Sequence, residues 1–311
     1  MKSIKISTTG ITASNLVMGC MRLKTLPVSE VKTLLHKALD AGINFFDHAD
    51  IYGDGLCETL FAEALKMTPA IRENLFLQSK CGICRGGIGK GGFFDFSREH
   101  ILESVDGILG RLKTDYLDFL LLHRPDTLME PEEVAEAFAA LQASGKVRHF
   151  GVSNFNPMQI ELLQKHTPQK LSVNQLQLSI AHTPMIDSGL TVNMHLNQSV
   201  NREGGILEYC RLHDITIQAW SPFQKGFFEG TFLGDPNYRE LNEVIHRMAV
   251  QYGVTDSAVA TGWITRHPAR IQVILGTTSP QRIVDSCQGS DLPLTRREWY
   301  DIYKAAGNTV P

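Results

Sequence analysis

Cysteine is scarce in this chain. Six in 311 residues cannot build the disulfide framework on which small secreted domains depend. Cys81 and Cys84 have the spacing of a redox pair or of half a zinc site, but no second pair matches them. The thiols are expected to be reduced and incidental, and no metal-ligand cluster is expected. Positive charge is not in excess either. Thirty Lys and Arg stand against 33 Asp and Glu, a formal net charge of -3, which leaves no basic field for nucleic acid or an anionic membrane. No run approaches the roughly 20 apolar residues of a membrane span, and the opening MKSIKISTTG lacks the apolar core of a secretory signal. These absences predict a cytoplasmic protein, a monomer or small homo-oligomer, whose partner is a small molecule. The glycosylation sequon Asn197-Gln198-Ser199 is accordingly expected to be incidental.

What the chain does have is a rhythm. Hydrophobic residues at 43% suffice for a large core. Short apolar runs recur at Asn15–Cys20, Ile43–His48, Leu75–Lys80, Tyr116–His123, His149–Asn154, Ser172–Gln177, Thr216–Ser221 and Ile271–Gly276. Segments of helical periodicity lie between them, among them Val28–Ala41, Glu58–Met67, Arg98–Lys113, Pro131–Ser144, Pro157–His166, Gly205–His213 and Ala258–His267. Near-continuous apolar strands such as Leu117-Asp118-Phe119-Leu120-Leu121-Leu122 belong to parallel sheets covered on both faces. Eight strand–helix units predict an α/β fold, a (β/α)8 TIM barrel forming one domain over residues 1–311. Thr295 and Glu298 form a capping-box pattern, predicting an extra C-terminal helix within Leu294–Ala306. A doubly wound sheet would need a glycine-rich turn after the first strand, and Met18-Gly19-Cys20-Met21 is not one. The G-x-G-x-x-G match at Gly87, Gly89 and Gly92 neither follows a strand directly nor opens a helix, so it reads as a loop over the barrel mouth. The long connections Leu178–Glu203 and Phe223–Tyr238 follow strand C-termini, where lids and substrate walls are expected.

Barrel active sites are built at strand C-termini, and the polar residues there are coherent. Asp47 ends the second strand, with Tyr52 on the loop beyond it; Lys80 ends the third, His123 the fourth, Asn154 the fifth; Gln175 falls near the end of the sixth, and Ser221 and Gly276 close the seventh and eighth. A phenol titrates near 10. A neighbouring ammonium, Lys80, is expected to bring Tyr52 toward the working range, with Asp47 keeping that ammonium charged. His123 could donate to a substrate oxygen or relay a proton. With no nucleophile–base pair, hydride chemistry from an organic cofactor is the natural complement.

The stretch Gly42-Ile43-Asn44-Phe45-Phe46-Asp47-His48-Ala49-Asp50-Ile51-Tyr52-Gly53 resembles the signature of the aldo-keto reductases. Further landmarks follow in order: Lys80, Leu122-His123, Gly151-Val152-Ser153-Asn154-Phe155, Asn174-Gln175, Trp220-Ser221-Pro222 and Gly276-Thr277-Thr278-Ser279-Pro280. The likeness spans roughly residues 1 to 306 and looks closest to the bacterial oxidoreductase branch. It implies NADP(H) bound across the C-terminal face and a catalytic tetrad of Asp47, Tyr52, Lys80 and His123, with Tyr52 the general acid in carbonyl reduction. By the same resemblance Ser153, Asn154 and Gln175 hold the nicotinamide carboxamide and Trp220 stacks on the ring. Ser221, Phe223 and Gly226 match the pyrophosphate belt, Gly276 and Thr277 the following cofactor segment, and Arg282 the arginine that pairs with the 2'-phosphate. Leu275, Gly276 and Asp285-Ser286 depart from common family patterns at the adenosine end. Met21, Phe93 and Phe94 are expected to line the substrate pocket. Two other classes share these features: a cofactor-binding regulatory or redox-sensing protein of the same fold with slow turnover, and a metal-assisted hydrolase built on His48, Asp50 and His123.

Overall fold

The computed structural model describes residues 1–86, 92–227 and 229–311. Gly87 and Gly89 of the glycine-rich motif lie outside the described residues. Parallel strands Leu16–Gly19, Phe45–Asp47, Phe76–Cys81, Leu117–Leu122, Val147–Ser153, Leu171–Gln177, Thr216–Trp220 and Gln272–Leu275 close into a barrel. They are numbered first to eighth below. The last joins the first, Val273, Ile274 and Leu275 lying opposite Leu16, Val17 and Met18. All eight fall where the apolar runs predict them.

Alternation along each strand sorts side chains into two cores. Val17, Phe45, Phe119, Leu121, Val173 and Ile274 fill the interior. Leu16, Met18, Phe46, Leu77, Leu120 and Leu122 face outward onto helical residues such as Leu34, Phe61, Ile101, Val105 and Phe138. The interior is closed at its N-terminal end by a hairpin, Ser3–Lys5 paired antiparallel with Thr12–Ser14, whose Ile4 and Ala13, with Ile6 just beyond, pack on that core. These strands are too short and too polar at their tip for periodicity to reveal.

Among the described residues three helices go beyond the sequence expectation, the shortest being Pro69–Arg72. Arg239–Tyr252 buries Leu241, Ile245, Met248 and Ala249 on one face and ends at left-handed Gly253; Pro184–Leu190 sits inside the long connection after the sixth strand. A two-stranded hairpin, Ile83–Cys84 with Phe93–Phe94, follows the third strand. The expected C-terminal helix is Arg296–Ala305, opened by the Thr295–Glu298 capping box. Its Trp299 stacks on Trp263 at 4.7 Å, and each indole N–H donates to the other residue's carbonyl. Among the described residues no helix is long and apolar enough to cross a membrane.

Candidate active site

The alternation that makes Phe45 an inward residue also turns Asp47 inward, and Lys80 faces it from the neighbouring third strand. The Lys80 Nζ donates to both Asp47 carboxylate oxygens, at 2.7 and 2.8 Å, and to the His48 carbonyl at 2.6 Å. Both side chains are buried. An ammonium without partners at such depth would cost several kcal/mol. Burial pulls the Lys80 pKa down, but Asp47 and then Tyr52 outweigh it, so the net shift is upward and the side chain stays cationic.

Asp47 has further partners. Its Oδ1 accepts from the side-chain amides of Gln78 at 2.6 Å and Gln175 at 2.9 Å. Both amides also donate to Gln218 Oε1, and Gln218 donates on to Gln272, which donates to the Ser14 carbonyl. A chain of amides thus runs from Asp47 down to the N-terminal hairpin. Sequence reasoning missed Gln78, Gln218 and Gln272; the available signal was a glutamine at an inward position in three otherwise apolar strands.

Tyr52 lies on the turn after the second strand, its ring edge-on to His123 with centroids 5.8 Å apart and 4.9 Å from Lys80 Nζ. Here the structure corrects an expectation. Lys80 does favour the phenolate, but burial is the larger effect and Asp47 adds to it, so the phenol is pushed up to about 12 instead of down. Tyr52 is held protonated at neutral pH. His123 is pulled well below the ordinary imidazole range by burial, then by Lys80 and Arg124; it is neutral, and its buried Nδ1 has no partner among the described residues. The mouth therefore presents an uncharged phenol and an uncharged imidazole beside a fixed ammonium.

The fifth and seventh strands end in a linked group. Asn154, in the left-handed region at φ 62, donates to the Ser153 hydroxyl at 2.8 Å and accepts from the Trp220 indole at 3.1 Å. Ser153 donates to the Gln175 carbonyl. Ser153 and Asn154 are thus committed to protein partners and hold Trp220, while Gln175 retains an Oε1 to which nothing among the described residues donates. Ser221 is also left-handed, at φ 52, and turns the chain into a loop where Phe223 packs on the outer core and Gly226 lies against the Glu229 carboxylate.

A sequence model described as the aldo/keto reductase family matches residues 15–306. The chain belongs to the aldo/keto reductase family. It is 37% identical over 308 residues to the uncharacterized oxidoreductase YcsN of Bacillus subtilis (strain 168), covering 96% of each chain. To the oxidoreductase YdhF of Escherichia coli (strain K12) it is 36% identical over 314 residues, covering 99% of each. An aldo-keto reductase of Bombyx mori, solved in complex with NADP, has the same fold with a TM-score of 0.75 at 22% identity, over 98% of this chain and 92% of that one. The family and these relatives make the protein an oxidoreductase of carbonyl groups in the general sense.

The other candidate residues of this aldo/keto reductase are more dispersed. Gly276 accepts from Arg22 at 2.8 Å, and the Thr277 hydroxyl accepts from the Ser279 amide. Arg282 is exposed in the first turn of helix Pro280–Cys287, which Ser279 caps, and it makes no ion pair among the described residues. Met21 is half-buried behind the first strand, its carbonyl facing the Cys57 thiol. Phe93 and Phe94 are exposed on their hairpin. Sequence reasoning missed Arg22, and also Arg124, whose guanidinium lies 5.7 Å from the Trp220 ring directly after His123. The ligand set of the hydrolase reading does not converge: His48 points outward onto Phe61, ring centroids 4.6 Å apart, whereas His123 faces Tyr52. A cavity of about 550 Å³ lined by Lys2, Lys5, Arg266, His267 and Arg270 lies at the opposite end of the barrel, away from these groups.

Asp50 carries a stability prediction. Burial, then Glu58, raises its carboxyl from 3.8 to about 7, and its buried Oδ1 has no partner among the described residues. A folded-state pKa above the unfolded value means that the folded form loses stability as pH rises through that interval and does not recover it above. Asp50→Asn should therefore gain roughly 1–3 kcal/mol over wild type above about pH 7 and nothing below about pH 4. Thermal unfolding at the two pH values checks this; an equal gain at both would refute it.

Proposed function

We propose that this protein is an NADPH-dependent reductase of an aldehyde or ketone, with Tyr52 as general acid assisted by Lys80, Asp47 and His123. The observation that carries the reading is the placement of the Tyr52 ring, partly buried at the barrel mouth and 4.9 Å from the Lys80 ammonium, which Asp47 holds through both carboxylate oxygens. A general acid must hold its proton until the substrate oxygen becomes basic. Tyr52 meets that requirement, and Lys80 supplies the charge that stabilises the phenolate left behind.

The strand ends fit a nicotinamide cofactor. Gln175 Oε1 can accept from a carboxamide, Trp220 is held by Asn154 as a stacking surface, and a side chain at Gly276 would meet nothing nearer than Arg22 at 3.8 Å. Ser221, Phe223, Gly226 and Thr277 would line the pyrophosphate, and the exposed Arg282 guanidinium suits a 2'-phosphate through its several donors. When bound, NADPH supplies the hydride. The protein's residues handle the proton: Tyr52 O–H transfers it to the carbonyl oxygen, giving the alcohol, and the phenolate is reprotonated from solvent. His123, uncharged, offers a ring N–H to the same oxygen and lowers the cost of its developing charge.

The test is a panel of aldehydes, ketones and dicarbonyls followed by NADPH absorbance, with NADH as control. Turnover with NADPH is expected. Arg282→Ala should weaken NADPH by about 1–3 kcal/mol, the order of a charge-assisted hydrogen bond, and leave NADH nearly unchanged. Equal losses for both cofactors would remove Arg282 from the phosphate site, and cofactor binding without turnover of any carbonyl would favour a regulatory role.

A further inference from the structure

We propose that Cys84, Asp95 and His100 form a binding site for a thiophilic divalent cation, with zinc the best chemical match. Cys84 ends the first strand of the hairpin beyond the third barrel strand, Asp95 directly follows the second, and His100 lies in the first turn of helix Arg98–Leu112. One ligand atom from each lies within 4.8 Å of the others. Cys84 Sγ and His100 Nε2 are 3.6 Å apart. A tetrahedral zinc with Zn–S near 2.3 Å and Zn–N near 2.05 Å spans a sulfur–nitrogen edge of about 3.6 Å, so this pair already has the required separation and only the carboxylate must close in. Sulfur, nitrogen and oxygen together select zinc over magnesium or calcium, which prefer oxygen alone.

The surroundings favour a cation. Asp95 accepts the Ser97 amide on Oδ1 at 2.8 Å, which anchors the carboxylate beside the sulfur and the ring nitrogen. Among the described residues the other hydrogen-bond partner of His100 Nε2 is the Ser104 hydroxyl, at 3.3 Å. The nearby Arg85 guanidinium is turned away from these groups, to Asp54 and the Ile51 carbonyl. The thiol of Cys84 thus has Asp95 and His100 as its chemical companions, whereas its sequence neighbour Cys81 is buried in the outer core.

A cation here would tie both strands of the hairpin to the helix. Cys84 is paired across the hairpin with Phe93, and Ile83 with Phe94, so the two exposed aromatic rings would be fixed at the barrel mouth. Their effect on substrate rests on the reductase reading; the binding of the cation does not.

The test uses the full-length protein, reduced, stripped with a chelator and titrated with Co2+. A thiolate-to-cobalt charge-transfer band in the near ultraviolet should grow to one cobalt per chain and be erased by Zn2+. Cys84→Ser should abolish the band, and His100→Gln should weaken binding by at least about 10-fold. Cys287→Ser, which removes the other partly exposed thiol, should leave the band intact. Absence of the band in wild type, its survival in Cys84→Ser, or its loss in Cys287→Ser would overturn the site. Amide exchange at Phe93 and Phe94 should slow on adding Zn2+; unchanged exchange in zinc-saturated protein would overturn the clip. Neither readout needs turnover, so failure here leaves the reductase reading untouched, and failure of that reading leaves the cation site standing.

Discussion

Replacing Lys80 by methionine is expected to destabilise the protein by about 3–5 kcal/mol and to abolish measurable carbonyl reduction. The stability loss comes from Asp47, whose buried carboxylate would keep only the amides of Gln78 and Gln175 and lose the charge that balances it. Adding Asp47→Asn to Lys80→Met removes the stranded charge, so the double variant should recover most of the loss. It should not recover activity, because the phenolate of Tyr52 would still lack its ammonium. Urea unfolding of the two variants and wild type, with turnover measured on the same preparations, separates the roles. A Lys80→Met protein as stable as wild type would mean that the pair is not what holds this part of the interior. An active double variant would mean that the charge at position 80 is not used.

The barrel was legible because a parallel strand covered on both faces is an apolar run, and a polar residue at its end stands out. Asp47, Lys80 and His123 were visible in this way, and the alternation within Phe45-Phe46-Asp47-His48 explains why Asp47 enters the interior while His48 packs outside against Phe61. Other features depend on depth and on distant partners, which sequence spacing does not contain. The direction of the Tyr52 shift is one: an ammonium nearby is predictable, but the burial that outweighs it is known only once the fold closes around the ring. The glutamine chain is another, since Gln78, Gln175, Gln218 and Gln272 come from four strands and gain meaning only across the barrel interior. Ser153 and Asn154 were found by position, yet their commitment to Gln175, Trp220 and each other makes them holders of the aromatic surface as much as donors to a ligand. Cys84 shows the same limit: its motif pointed to Cys81, and the hairpin places it against His100 instead.

Tyr52→Phe removes one oxygen and leaves the ring against His123 and Lys80. Ser153, Asn154, Gln175 and Trp220 lie on other strands and keep their mutual hydrogen bonds, so NADPH should bind with a Kd within about twofold of wild type, well under 1 kcal/mol. Reduction should nevertheless fall by about 10² to 10⁴, the range typical of losing a general acid. The most direct measurement is single-turnover oxidation of pre-bound NADPH by a reactive aldehyde, because it reads the chemical step free of cofactor exchange. A Tyr52→Phe rate lower by about 10² or more, with the full amplitude of bound NADPH retained, is the predicted result. An unchanged rate would contradict Tyr52 as the proton donor.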